Sequence, residues 1–142
     1  MSGKNQNYKN HRRISKGFHF GVYGLIGTLM TAGWIVFFCG HKPMAGVFMI
    51  FLSVVFASLA FYARLFALRA QDRAIRAEEN LRHFILTGKA LPAGLRIGQI
   101  VALRFASDAE LPDLAQKAEK ENLKGDEIKK LIQHWRPDFH RV

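Results

Sequence analysis

The first 71 residues contain no aspartate or glutamate, and the whole chain of 142 residues contains one cysteine. A single cysteine excludes an intramolecular disulfide framework and a thiolate zinc site. The sequence has no P-loop, no glycine-rich dinucleotide turn, no G-x-S-x-G and no H-E-x-x-H, so the common signatures of catalysis are missing. We therefore expect no enzyme activity and no cofactor. The net charge of +10 resembles that of a nucleic-acid binder until it is located. Residues 1–71 carry eight Lys and Arg unopposed, whereas residues 72–142 carry thirteen basic and eleven acidic residues.

Two long uncharged runs are present. Residues 17–41 and 43–63 contain no Asp, Glu, Lys or Arg. A helix rises about 1.5 Å per residue, so roughly 20 apolar residues cross a hydrocarbon layer of about 30 Å. Two such runs joined by a short turn would overwhelm the polar surface of a small soluble domain. A helical hairpin in a bilayer satisfies its backbone groups within each segment. The expected fold is an all-α membrane protein: a transmembrane helical hairpin (17–63, spans about 18–39 and 44–63), a second helix extended into the cytoplasm (64–88), and three short amphipathic helices in a small unit (89–142). A basic cytoplasmic tail (1–16) precedes them. In the turn, Gly40 is suited to a positive φ and Pro43 to the first turn of the second helix. The first run exceeds the 7–15-residue core of a signal peptide, and Phe37 and Phe38 rather than small residues precede Cys39, so it is expected to be retained.

Basic residues crowd the two membrane exits. Arg12, Arg13 and Lys16 precede the first span, and Arg64, Arg69, Arg73 and Arg76 follow the second, whereas the turn holds only Lys42. Positive flanks stay inside, which places both termini in the cytoplasm. These seven residues are the expected contacts to anionic phospholipid headgroups, at about 1 kcal/mol each near the surface. Nucleic acid is the less favoured partner, because the basic and acidic residues of 94–142 number nine and eight.

Small residues govern helix contact in lipid. Gly17, Gly21, Gly24, Thr28 and Thr31 recur at spacings of four and three on the first helix; Gly46, Ser53, Ala57 and Ala60 form a comparable seam on the second. Both seams are expected to pack the hairpin together, with docking of a neighbouring subunit as the alternative. Neither span holds a charged group, which argues against a self-contained pump or carrier.

The stretch beyond residue 63 is rich in Ala, Leu, Arg and Glu and should remain helical to a stop at Gly88, extending about 36 Å past the bilayer. Glu78–Arg82 and Glu79–His83 are expected i,i+4 pairs. Short helices are expected over residues 95–105, with Ile97, Ile100 and Val101 together; from a Ser107–Glu110 capping box to about 121; and over 125–135, with Ile128, Leu131, Ile132 and Trp135 on one face. The unit from residue 89 is small to stand alone, so its apolar stripes should close on the long helix or on a partner. His134, Asp138 and His140 have metal-ligand chemistry, but Pro137 interrupts the helix between them, and no metal site is expected.

The strings LRFASDAELPDLAQKAEKENL and DEIKKLIQHWRPDFHRV, with the basic tail, the hairpin and QDRAIRAEENLR, resemble an uncharacterised family of small bacterial membrane proteins, a domain-of-unknown-function family. The most specific parts are ALRFASDAELP (102–112) and IKKLIQHWRPD (128–138), and the resemblance covers nearly the whole chain. It implies a bacterial inner-membrane protein with an N-terminal hairpin and a cytoplasmic helical end, and it implies no reaction. The functional expectation is an accessory or scaffolding subunit that binds another membrane protein or a second copy, with no small-molecule substrate evident. Arg104, Phe105, Asp108, Trp135, Arg136 and Asp138 are the candidate partner contacts; intramolecular packing and capping would explain the same residues. The alternatives are a membrane-anchored sensor of anionic lipid or nucleic acid and, behind it, a small oligomeric channel or carrier.

Overall fold

A computed structural model of the chain describes residues 7–8 and 17–138. Among them a π-helical turn, Gly17–Val22, leads into α1, Tyr23–Phe38, and four further α-helices follow: α2 Pro43–Thr87, α3 Ile97–Leu103, α4 Leu111–Lys120 and α5 Gly125–Leu131. No strand occurs among the described residues, so the fold is all-α. Gly17–Phe38 and α2 are both long and apolar enough to cross a membrane. The chain divides between Leu68 and Arg69 into two compact units. The headgroup contacts expected at Arg12, Arg13 and Lys16 lie outside the described residues, as does His140.

In the first unit, large apolar side chains point outward: Phe20, Leu25, Met44, Phe51 and Leu59 are each at least 60% exposed. So much unpaired apolar surface suits a hydrocarbon surrounding and is foreign to a monomer in water. The two helices meet where side chains vanish. A Cβ on Gly46 would stand 2.7 Å from the Phe37 Cα, and one on Gly33 would stand 2.9 Å from Ile50 Cγ1. On α2, Gly46 and Ser53 are buried and Ala57 and Ala60 are half-covered. The expected seam of the first helix lies elsewhere. Gly17, Gly21 and Gly24 have open space where a Cβ would be, and Thr28 and Thr31 are exposed with their hydroxyls bonded to carbonyls of their own helix. The covered face of that helix instead runs through Val22, Ile26, Leu29, Gly33 and Val36. Spacing identifies a stripe of small residues but not the side of the helix that faces its neighbour.

The turn departs from expectation in one residue. His41, not Gly40, takes the positive φ, at 53°. Gly40 is required for closeness, since a Cβ there would stand 2.9 Å from the Val36 carbonyl oxygen. Pro43 opens α2, where its missing N–H has no helical acceptor to serve.

The second unit combines residues of α2 beyond Leu68 with α3, α4 and α5. Helix α2 ends at Thr87, and Gly88, with φ of 70°, forms the left-handed cap. Ile75 of α2 belongs to the same apolar core as Leu95, Leu103, Phe105, Leu111 and Ile128. The short helices bury their stripes mainly against one another, α3 packing on α5 and α4, and α2 adds Ile75 to the core that they form. Helix α4 follows its pattern: Leu111, Leu114, Ala115 and Ala118 are buried, Asp113 lies in the first turn and Lys117 and Lys120 in the last, matching the helix dipole. Asn122, at φ 51°, turns the chain back, and the Leu123 N–H donates to the Ala118 carbonyl.

Three local expectations are corrected. Helix α3 buries Gln99, Ile100, Ala102 and Leu103, while Ile97 and Val101 are half-exposed. The Gln99 amide is buried because both its ends are used: Oε1 accepts from the Arg96 N–H at 2.7 Å, and Nε2 donates to the carbonyls of Ala118 and Leu123. The Ser107–Glu110 capping box does not cap a helix, because α4 begins at Leu111 and the Glu110 carboxylate accepts from His134 instead. Helix α5 stops at Leu131, which is 41% exposed, and Ile132 is already extended. The extended backbone carries Trp135 into an antiparallel bridge with Ala106, a pairing that helical spacing cannot reveal.

Gly46→Val should lower the stability of the hairpin by about 1–3 kcal/mol, since the clash is with backbone; Gly24→Ala should stay within about 0.5 kcal/mol. Thermal denaturation of the two variants in detergent, followed by helical circular dichroism, checks this contrast.

Candidate functional site

Helix α2 places Ile75, Glu79 and His83 one turn apart, and all three are buried in the second unit. Two of these positions are polar, so they must be satisfied or neutralised. The Glu79 Oε2 accepts from Arg82 Nη1 at 2.9 Å. Arg82 is nearly covered itself and reaches further: Nε donates to Asp108 Oδ1 at 2.7 Å and Nη2 donates to the Ala106 carbonyl at 2.8 Å. One guanidinium therefore joins α2 to the turn that follows α3. The pair forms at i,i+3 with Glu79 rather than at i,i+4 with Glu78, because Glu78 is exposed while Glu79 faces the core. His83 does not pair with Glu79 either. Its Nδ1 lies 2.8 Å from the Lys89 carbonyl, a geometry in which the ring donates, and its buried Nε2 has no hydrogen-bond partner among the described residues.

Beside this pair lies a cleft of about 320 Å³, bordered by Gln71, Ile75, Glu79, Arg104, Arg136 and Asp138. Arg104 Nη1 bonds Asp138 Oδ2 at 3.1 Å, and the Arg104 guanidinium lies 4.8 Å from the centre of the Phe105 ring. Phe105 is fully buried and packs on Trp135 with ring centres 5.2 Å apart. The Arg136 N–H donates to the Phe105 carbonyl at 2.8 Å, and its side chain approaches Glu79 at 3.9 Å. The six residues expected to contact a partner are thus brought together, and each has a partner in its own chain. Asp108 and Arg136 keep the most solvent, with side chains 67% and 54% exposed. Opposite charges alternate around the cleft, so it presents matched polar groups rather than a field of one sign.

At the edge of the same unit His134 Nδ1 lies 3.0 Å from Glu110 Oε1, and the His134 N–H donates to the same carboxylate. Partial burial pushes the Glu110 carboxyl up, but the hydrogen bonds and charge of His134, helped by Ser107, outweigh it and hold the group below the usual carboxylate range. His134 and Asp138 each serve a different partner and do not converge. No group of three or more His, Cys, Asp or Glu able to hold a metal occurs among the described residues. Cys39 is exposed and unpaired with another cysteine.

A shallow groove of about 350 Å³ continues round α2 from Glu78 and Arg82 to Asp108 and Arg136, floored by Leu81, Ile85 and Leu86. Leu81, Phe84 and Ile85 are 60%, 54% and 73% exposed, the most apolar exposure in the second unit. Of the expected headgroup contacts, Arg64 lies over the Phe18 ring at 5.7 Å, and Arg69, Arg73 and Arg76 are exposed. Reading by residue type missed Glu79 and Arg82 as the centre of the unit. The available signal was the four-residue recurrence of Ile75, Glu79 and His83.

Two outcomes follow from this geometry. Arg82→Ala should destabilise the second unit by about 2–4 kcal/mol, because it leaves the Ala106 carbonyl without its donor and the buried Glu79 carboxylate with only the 3.9 Å contact to Arg136; chemical denaturation read by Trp135 fluorescence in a Trp34→Phe background measures it. Glu110 has a folded-state pKa below its unfolded one, so its contribution is present above the ordinary carboxylate range and is lost as pH falls through the lower value. Glu110→Gln should therefore lower stability at neutral pH and flatten its acid dependence, as seen in melting curves taken from neutral to acid.

The family of unknown function DUF6526 matches the chain over residues 1–142. No curated protein and no solved structure matches it. The chain belongs to the DUF6526 family.

Proposed function

We propose that this DUF6526 protein is an accessory or scaffolding subunit of a bacterial inner-membrane protein complex, with no catalysis of its own. The hairpin anchors it as a multi-pass protein with both termini in the cytoplasm, and the basic residues flanking the spans meet anionic phospholipids. The far end of α2, with the helical unit closed on it, offers a surface for a protein partner. One observation carries this reading. The second unit, with its own apolar core closed, leaves Leu81, Phe84 and Ile85 uncovered, and beside them Glu78, Asp108 and Arg136 provide a charged rim. An apolar centre within a polar rim is the ordinary anatomy of a protein interface. The paired charges in the neighbouring cleft support recognition rather than turnover.

Purification of the tagged full chain from native membranes in mild detergent tests the reading. A stoichiometric component, either another membrane protein or a second copy, should accompany the chain, and Leu81→Asp with Ile85→Glu should release it while the chain stays in the membrane fraction. A monodisperse monomer with nothing copurifying would contradict the proposal.

A further inference from the structure

The uncovered face of α2 has a period. Ala70, Ala74, Ala77, Leu81 and Phe84 recur at spacings of four, three, four and three, and all five are exposed. The same alternation runs back in the sequence through Ala67 and Ala63, giving three heptads of apolar residues at positions a and d. A spacing of 3.5 residues keeps one stripe facing a partner helix only when the two helices supercoil around each other. A helix packed on its own globular unit needs no such regularity, and α2 shows this: Ile75, Glu79 and His83, which face the core, lie at the b, f and c positions on the other side.

The flanking charges identify the partner. In this register Arg73 falls at g and Glu78 at the following e, and both are exposed. In a parallel pair, g of one helix meets the next e of the other, so two identical chains would form Arg73–Glu78 and Glu78–Arg73 pairs across the seam. The helix thus complements itself. Direction agrees with this. Copies anchored by the same hairpin in one bilayer present α2 in the same sense, which allows a parallel pair and excludes an antiparallel one. The stripe also ends where the helix ends, since the next a position is Gly88, the left-handed cap.

We infer that α2 pairs with α2 of a second copy of this chain, as a parallel, in-register, left-handed coiled coil seamed by Ala70, Ala74, Ala77, Leu81 and Phe84. The alanines let the two backbones approach closely, and Leu81 and Phe84 supply most of the apolar area. This inference rests on the reading of the protein as a membrane-anchored subunit and specifies what covers its exposed face.

Single cysteines in the full chain test it, in a Cys39→Ser background that removes the native thiol. Residues at a or d of a parallel pair stand within disulfide reach of their own counterparts. Oxidation in native membranes should give a covalent dimer for Ala74→Cys and Ala77→Cys, and none for Arg69→Cys and Arg76→Cys, which are exposed but off the seam. Arg73→Glu added to Ala77→Cys should weaken pairing roughly five- to tenfold, as two exposed attractions become repulsions. Glu78→Arg in the same chain should restore it. Absence of dimer at both seam positions, or equal dimer on and off the seam, would overturn the inference. Sedimentation of the same samples separates the two readings. A chain that pellets with the membranes but fails to cross-link at the seam refutes self-pairing alone; a chain left in the supernatant refutes both.

Discussion

The Arg82 guanidinium determines how the second unit is assembled. It reaches the Glu79 carboxylate one turn back, Asp108 in the turn after α3, and the carbonyl of Ala106. Ala106 in turn bridges to Trp135, and the Phe105 carbonyl takes the N–H of Arg136. A single side chain on α2 therefore organises the 104–108 turn, and that turn fixes the C-terminal segment. Glu79 is tolerated in the core because the guanidinium stays with it; without that partner, only the longer contact to Arg136 at 3.9 Å would offset the buried charge. Polar specificity and apolar burial coincide here, since Phe105, Leu103 and Ile75 pack in the same core.

The two units solve opposite solvent problems with the same helix. Before Leu68, α2 shows apolar side chains outward and small ones toward α1, as Gly46 and Ser53 do. Beyond Arg69, it turns Ile75, Glu79 and His83 to a core that the short helices complete. Its remaining face, from Ala70 to Phe84, faces neither core and is the face that we infer pairs with a second copy.

Much of the candidate site was legible in the sequence as a set of residues, but not as an arrangement. Arg104, Phe105, Asp108, Trp135, Arg136 and Asp138 were identified by residue type, and they do gather. Their anchor, Arg82 with Glu79, was not identified, because an i,i+4 rule favours Glu78 and only the position of the core decides between adjacent glutamates. His83 was equally hidden, since its partner is a backbone carbonyl six residues away, beyond the end of the helix.

Features that depend on local composition could be read directly: two apolar runs of spanning length, the stop at Gly88, the start at Pro43 and the buried stripe of α4. Each follows from hydration, backbone freedom or helical period, which act within a few residues of the chain. Features that depend on what lies opposite could not. The hairpin closes at Gly33 and Gly46 and leaves Gly17, Gly21 and Gly24 open, because close approach is a property of two helices and not of one stripe. Trp135 leaves the helix that its spacing suggested because a backbone bridge partner, Ala106, and a buried ring, Phe105, stand where only tertiary packing could put them.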